Sequence, residues 1–350
     1  EGRCACLLLA GGQASRLGCT GPKGCYPVSF VKKKSLFQLV AEKIKAASEQ
    51  AGYPLQLAIM TSPLNHLETE AFFVQNAFFR LSPHQVSFFY QRMWPFLDFQ
   101  GNLFLETPDR LGCGPNGNGE VFSRLCESGI WQKWEKMGVQ MVNVLPIDNP
   151  LAAPFDQELF GFHARHQCEV TIKAAMRQES QEEVGVIGSQ RNKPIVTEYS
   201  EMTESSLKKS LIANLGLYCF SMSFIDKVKN LSLPIHRAKK NVNRMGETVK
   251  AWKFEKFIFD VLPASDHSEV WLYPKERCFA PLKNFQGPNN IDAVQAALLS
   301  LDRHVYLNIS GVEPPPDQAF ELAAEFYYPT CVQLAKWEGQ PLPNQPYIEI

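Results

Sequence analysis

Near the start of the chain, from Leu9 to Gly24, runs the string L-A-G-G-Q-A-S-R-L-G-C-T-G-P-K-G. Gly11 and Gly12 let the backbone turn sharply and approach a ligand with no Cβ in the way. Successive backbone N–H groups can then face phosphate oxygens. Arg16 adds a planar fork and Lys23 a compact point charge. A polyphosphate is the natural partner of such a loop. It is neither a Walker loop nor the dinucleotide-binding G-x-G-x-x-G. A G-G pair alone would fit an ordinary strand-to-helix turn; Arg16, Pro22 and Lys23 together favour the phosphate loop. Farther along, Asp148 closes a strongly apolar run, and a carboxylate so placed needs a partner. Mg²⁺ shared with phosphate oxygens is one such partner, and a helix N-cap before Pro150 is the other.

These groups need a scaffold. Cys4 to Ala10 reads as a buried strand of a parallel sheet that stops at Gly11-Gly12. Ser35 caps an amphipathic helix that ends near Gly52. Leu55 to Thr61 reads as a second strand, 63–79 as a helix, and Val86 to Gln91 as a third strand. Residues 96–105 suggest a hairpin turning at Gly101-Asn102. A helix is expected over 119–137, then a strand from Val139 to Ile147. Alternating strands and helices imply an α/β domain with a mixed, mostly parallel sheet flanked by helices. Ligands of such sheets sit beyond the carboxyl ends of the strands. The glycine loop, Gln91 and Asp148 all fall at those ends.

The second half is more mixed. Strands are expected over 169–176 and 184–199, the latter broken by a turn at 190–193, and again over 214–221. Helices are expected over 255–262 and 289–304. Glu313-Pro314-Pro315-Pro316 reads as a stiff linker, leaving 317–350 as a small tail domain or the start of one.

The chain has 350 residues, 45% of them hydrophobic, so it can bury a large core. The balance of 35 basic against 36 acidic side chains argues against a nucleic-acid-coating or polybasic membrane protein and leaves room for a local basic patch. The ten cysteines form no C-x-x-C pair and lie scattered in apolar segments, as free thiols of a reducing cytoplasm would. No apolar run is long enough to span a bilayer and no signal peptide is evident. The first strand begins almost at Glu1, so residues are expected to precede it. His163 and His166, with no third ligand evident, read as surface or capping residues.

The glycine-rich string resembles the signature loop of the sugar-nucleotide pyrophosphorylases, most closely the UDP-N-acetylhexosamine pyrophosphorylases. The resemblance continues in order through P-K-G-C-Y-P-V at 22–28, F-F-Y-Q at 88–91, P-N-G-N-G-E at 115–120, V-L-P-I-D-N at 144–149, V-T-E-Y-S-E at 196–201, E-K-F-I-F-D at 255–260 and F-A-P-L-K-N at 279–284. It implies a Rossmann-like, GT-A-like nucleotidyltransferase domain over 1–310. Residues 1–150 would be its nucleotide-binding half, 151–310 its sugar-binding half, and 311–350 a C-terminal tail.

The implied reaction joins UTP to N-acetylglucosamine 1-phosphate and releases pyrophosphate, with Mg²⁺ as cofactor. Arg16, Lys23 and Lys283 are then the catalytic cations. Leu9, Gly11, Gly12, Gln91, Gly117 and Asp148 would bind the nucleotide, with Asp148 also on the metal. Gln91 offers donors and an acceptor to the uracil edge, and Gly117 lets the base lie against the backbone. Gly185, Glu198, Asn214, Phe257 and Phe259 match the sugar-contact region. Read alone, Glu198 fits a strand-surface carboxylate equally well, and one of the two phenylalanines fits the core. The chain departs from the family pattern at three places. Asn116 replaces an acidic residue, Ser15 a threonine and Leu217 a sugar-contacting asparagine. Leu217 cannot hydrogen-bond a hydroxyl, so glucose, galactose or N-acetylgalactosamine 1-phosphate stay open as substrates. A UTP–glucose-1-phosphate uridylyltransferase is the alternative in the same class, and a non-catalytic nucleotide-sugar-binding protein the alternative in another.

Overall fold

The computed structural model of the chain describes residues 2–178, 182–203 and 210–350. Strand β1 (Cys4–Leu9) lies at the middle of a nine-stranded sheet. Its parity explains why the run is apolar throughout. Cys6 and Leu8 enter the core on one face of the sheet, while Ala5 and Leu7 enter the core on the other. Helix α1 (Leu36–Ala51) covers the first face. The Ser35 side chain caps it, accepting from Gln38 N, and Gly52 closes it in the left-handed region at φ 64°. Strand β2 (Gln56–Thr61) and strand β3 (Val86–Tyr90) continue the sheet in parallel from β1.

Between them, α2 (His66–Gln75) is shorter than the expected 63–79. The backbone leaves the helix at Asn76, and Ala77 to Arg80 adopt positive φ. That turn folds Phe79 back onto Phe73, 5.4 Å between ring centroids. Packing of aromatic rings thus ends a segment whose composition favours continuing. The expected hairpin at 96–105 turns more broadly than Gly101-Asn102, with Asp98 accepting from the backbone of Gln100 and Asn102. Around it lie short strands β4 (Met93–Pro95), β5 (Leu105–Thr107), β6 (Arg110–Leu111) and β7 (Cys113–Pro115). The expected helix 119–137 is two helices, α3 (Val121–Glu127) and α4 (Ile130–Lys136), parted by Gly129 at φ 78°.

Strand β8 (Met141–Pro146) runs parallel to β1 on its other side, and α5 (Gln157–Arg165) follows. Strand β9 (Val170–Met176), strand β10 (Val186–Gln190), strand β11 (Lys193–Thr197) and strand β12 (Ile212–Ser221) make the antiparallel part. Strand β12 is bulged at Gly216, whose φ is 71°. Beyond the bulge it pairs with β8, and before it one edge meets β10 at Ala213. Helix α6 (Met222–Val228) comes next. Then β13 (His236–Arg244) and β14 (Glu247–Glu255) form a separate two-stranded hairpin. Residues 255–262 are not the expected helix. The Lys256 N–H donates to Asn116 O and the Lys256 carbonyl accepts from Gly119 N, so the backbone there is spent on a loop, and only a 3₁₀ turn follows (Ile258–Ala264). Strand β15 (Ser268–Leu272) joins the sheet beside β9.

Helix α7 (Ile291–Ser310) matches the expected 289–304 and extends it. The last forty residues have a small core shared with the end of α7. The paired strands β16 (Glu321–Leu322) and β17 (Tyr347–Ile348), with α8 (Cys331–Trp337), enclose a core of Tyr306, Phe320, Phe326 and Trp337. Glu321 accepts from the Val31 and Lys32 N–H groups, which fastens the segment to the loop before α1. No helix among the described residues is long and apolar enough to cross a membrane. All ten cysteines are free. His163 is not a surface residue: it is buried, bonded to Thr171 at 2.9 Å, because α5 lays it on β9.

Candidate active site

Strands β1, β2, β3 and β8 all point their carboxyl ends to one edge, and the glycine loop, Gln91 and Asp148 meet there. The loop is closed on itself by Lys23 N–H to Gly12 O at 3.1 Å and Ala14 N–H to Gly21 O at 3.0 Å. Buried Asn65 ties it to α2 by donating to the carbonyls of Ala10 and Gly12. Gln91 packs so closely on the loop that a Cβ at Gly11 would stand 2.3 Å from its Nε2. Gly117, at φ 84°, leaves room for Lys256 O, which would lie 2.3 Å from a Cβ there.

Two chambers open along this edge. The first, about 570 Å³, is lined by Leu9, Gly11, Gly12, Arg16, Lys23, Gln91 and Gly117. The second, about 250 Å³, is lined by Asp148, Gly185, Glu198, Asn214, Phe259 and Lys283. Leu9, Asn118, Pro146 and Phe257 belong to both. Every residue singled out in the sequence for a site role therefore lines one chamber or the other.

The seam between them is laced by polar contacts. Lys23 Nζ is 3.6 Å from Asp148 Oδ2 and donates to Leu282 O at 3.3 Å. Leu282 N–H donates to Asp148 O at 2.8 Å, and Phe285 N–H to Arg16 O at 3.2 Å. The P-L-K-N segment is thus pinned to the loop, and Lys283 Nζ reaches across to Glu183 O at 3.2 Å. In the second chamber, burial holds the Glu198 carboxyl above its ordinary range against the nearby Lys283 charge. The surface alternative for Glu198 is set aside by this placement. Asn214 Oδ1 accepts from Tyr218 OH at 2.8 Å. A Cβ at Gly185 would crowd Val196 Cγ1 at 3.1 Å and would stand at ordinary contact distance, 3.7 Å, from Asn214 Nδ2 and Glu198 Oε1. Phe257 and Phe259 stack at 5.0 Å and both wall the chamber, Phe259 reaching into the core as well.

Two departures from the family pattern take a different meaning here. Leu217 does not face the sugar side. Strand alternation places it with Ala213, Leu215 and Cys219 in the core of the first face. The chamber wall at that point is Asn214, Leu215, Gly216 and Tyr218. Asn116 is fully buried and donates to Glu120 Oε2 at 2.9 Å, a bond an ionised aspartate could not make.

Sequence reasoning missed one group of residues. Lys240 and Lys253 of the β13–β14 hairpin also line the first chamber. The run R-A-K-K-N-V-N-R has no apolar alternation, so it reads as a solvated charge run; only Met245-Gly246, both at positive φ, marks the turn. At the base of this hairpin, His236 lies between two carboxylates, Glu201 at 2.7 Å and Asp260 at 2.9 Å, and against the Phe257 ring. Burial opposes its charge, but the two hydrogen bonds and the charges of Asp260 and Glu201 together outweigh that, and its pKa is raised.

The residues also fit a particular kind of metal. Among the described residues no three His, Cys, Asp or Glu side chains cluster to hold an ion by themselves. Mg²⁺ is commonly held by one or two carboxylates plus substrate phosphates. Asp148 at the seam suits an ion that arrives with a triphosphate.

A phosphate loop at the carboxyl edge of an α/β sheet, with a cationic and an aromatic chamber meeting at one aspartate, defines the nucleotidyltransferase class. The chain belongs to the family described as UTP–glucose-1-phosphate uridylyltransferase, whose model matches residues 2–317. It is 33% identical to a probable UDP-N-acetylglucosamine pyrophosphorylase of Schizosaccharomyces pombe, over 91% of this chain and 74% of that protein. To the probable UDP-N-acetylglucosamine pyrophosphorylase of Dictyostelium discoideum it is 35% identical, over 85% of this chain and 68% of that protein. Against UDP-N-acetylglucosamine diphosphorylase 2 of Arabidopsis thaliana it spans 66% of the relative's length. A crystal structure of a putative UDP-N-acetylglucosamine pyrophosphorylase from Entamoeba histolytica superposes with a TM-score of 0.85 at 26% identity, covering 100% of this chain and 92% of that one.

Proposed function

We propose that this chain transfers a uridylyl group from UTP to an N-acetylhexosamine 1-phosphate, N-acetylglucosamine 1-phosphate first among them, and releases pyrophosphate. One observation carries the reading: the Lys23–Asp148 pair stands where the two chambers meet, with Arg16 on one side and Lys283 on the other. The uracil would lie on Gln91 and the Gly117 backbone, and the sugar between Phe257 and the Glu198–Asn214 wall. With position 217 turned into the core, the chamber keeps its polar wall, which favours the acetamido sugar of the relatives' names.

The chemistry asked of these residues is positioning and charge offset rather than covalent catalysis. An oxygen of the sugar phosphate forms a bond to the α-phosphorus as the bond to the bridging oxygen of the β-phosphate breaks. The electron pair leaves with pyrophosphate. Lys283 would hold the attacking phosphate and offset its charge against a second anion. Lys23 and Arg16 would face the charge that develops on the leaving group. Asp148 would hold Mg²⁺, which when bound offsets charge on the phosphate oxygens.

The test is direct. UTP, Mg²⁺ and a panel of sugar 1-phosphates are supplied and pyrophosphate release is followed. Fastest turnover with N-acetylglucosamine 1-phosphate is expected. A preference for glucose 1-phosphate would move the chain to the alternative named by the family, and UTP binding without turnover on any sugar would overturn the transferase reading.

A further inference from the structure

Four cationic side chains face the first chamber, and they are not equivalent. Lys23 has Asp148 at 3.6 Å and Lys253 has Glu255 at 2.6 Å. Arg16 and Lys240 have no carboxylate at ion-pair distance among the described residues. Burial, then repulsion from Lys253 and Arg16, lowers the Lys240 pKa, and Glu255 offsets only part of this. The chamber thus holds an excess of positive charge brought by two separate elements, the glycine loop and the hairpin.

Strand parity selects which hairpin lysine takes part. Lys240 pairs with Ala251, and two residues along the ladder Ala238 pairs with Lys253, so both lysines share one face. Arg237 and Lys239 fall on the other face, over the Trp252 ring at 4.9 and 5.5 Å. In-line displacement then fixes what Lys240 meets. The attacking and leaving oxygens lie on opposite sides of the α-phosphorus. If the sugar phosphate enters from the chamber of Lys283 and Glu198, the leaving group points into the chamber of Arg16 and Lys240.

Resting on the transferase reading above, we infer that Lys240 binds the terminal phosphates of UTP and the pyrophosphate formed from them. The hairpin is then part of the triphosphate site, and Lys240 is a residue that distinguishes pyrophosphate from the sugar phosphate.

The experiment compares wild type, Lys240→Met, Lys240→Arg and, as the neighbour on the other face, Lys239→Met, in both reaction directions. Lys240→Met is expected to raise the KM for pyrophosphate and for UTP about tenfold to hundredfold, the loss of one charge-assisted contact. KM values for the UDP-sugar and the sugar 1-phosphate are expected to stay within about twofold, and Lys240→Arg to recover most of the loss. An unchanged KM for pyrophosphate in Lys240→Met, an equal rise in Lys239→Met, or an equal rise for all substrates would overturn the inference. A wild-type chain that turns over no sugar sinks the transferase reading separately. Calorimetric titration with inorganic pyrophosphate then decides for Lys240, equal affinity of wild type and Lys240→Met going against it. Should Lys240→Met fail to fold, Lys240→Gln takes its place in each measurement.

Discussion

The two chambers differ in the physics they offer a ligand. The first is wide and cationic, built from backbone N–H groups, Arg16, Lys23 and the hairpin lysines. The second is less than half that size and mixes the stacked Phe257 and Phe259 with Glu198, Asn214 and Lys283. A triphosphate needs charge placed along several oxygens, which a glycine loop and a hairpin can supply from two sides. A sugar needs an apolar wall and a few hydrogen-bond partners at fixed positions, which strands and a 3₁₀ turn hold more rigidly. On the proposed function, one chamber would select by charge and the other by shape.

That contrast predicts a ranked set of losses. Removing the shared seam should matter most. Asp148→Ala is expected to lower turnover on the order of 10³-fold in the pyrophosphate-release assay, with an unchanged melting curve. Near-normal turnover would take Asp148 out of the centre and break the comparison at its joint.

Next in size are two changes that should act in opposite chambers. Arg16→Ala is expected to raise the KM for UTP about tenfold or more and spare the sugar 1-phosphate, while Lys283→Ala does the reverse. Both raising the same KM would mean the chambers are one site.

A smaller effect tests the base pocket. Gly11→Ala would set a methyl 2.3 Å from Gln91 Nε2 and displace that amide. UTP should bind several-fold more weakly, about 1 kcal/mol, with discrimination between UTP and CTP relaxed. Unaltered base discrimination would remove Gln91 from the uracil.

The smallest effect concerns the joint below the hairpin. The raised His236 pKa means its bonds to Glu201 and Asp260 stabilise the fold fully below the ordinary imidazole value of 6.5 and fade as pH climbs through the elevated value. The melting-temperature gap between wild type and His236→Gln should therefore narrow as pH rises from the acid side. A gap that widens would show that the histidine acts neutral.

Much of this was legible along the chain. The strands around β1 and the caps of α1 follow from local pattern, because a buried parallel strand is apolar on both faces and a serine or a glycine marks a helix end. What local pattern got wrong lies where distant groups take over the backbone. Residues 255–262 look helical until Asn116 and Gly119 claim Lys256; the break of 119–137 at Gly129, by contrast, is a local glycine signal that the apolar periodicity hid. Leu217 looks like a lost sugar contact until the packing of β12 is seen to put it in the core, outside the lining of the second chamber.

The sequence by itself determined the phosphate loop, its charges and the strand ends on which ligands gather, since these depend on residue type and short spacing. Only the tertiary structure decided that Lys240 lines the first chamber while Lys239 lies over Trp252, that Glu198 lines the second chamber, and that residues 311–350 pack onto the body. Each of those depends on which face of an element meets which neighbour, and that is set by contacts between residues far apart in the chain.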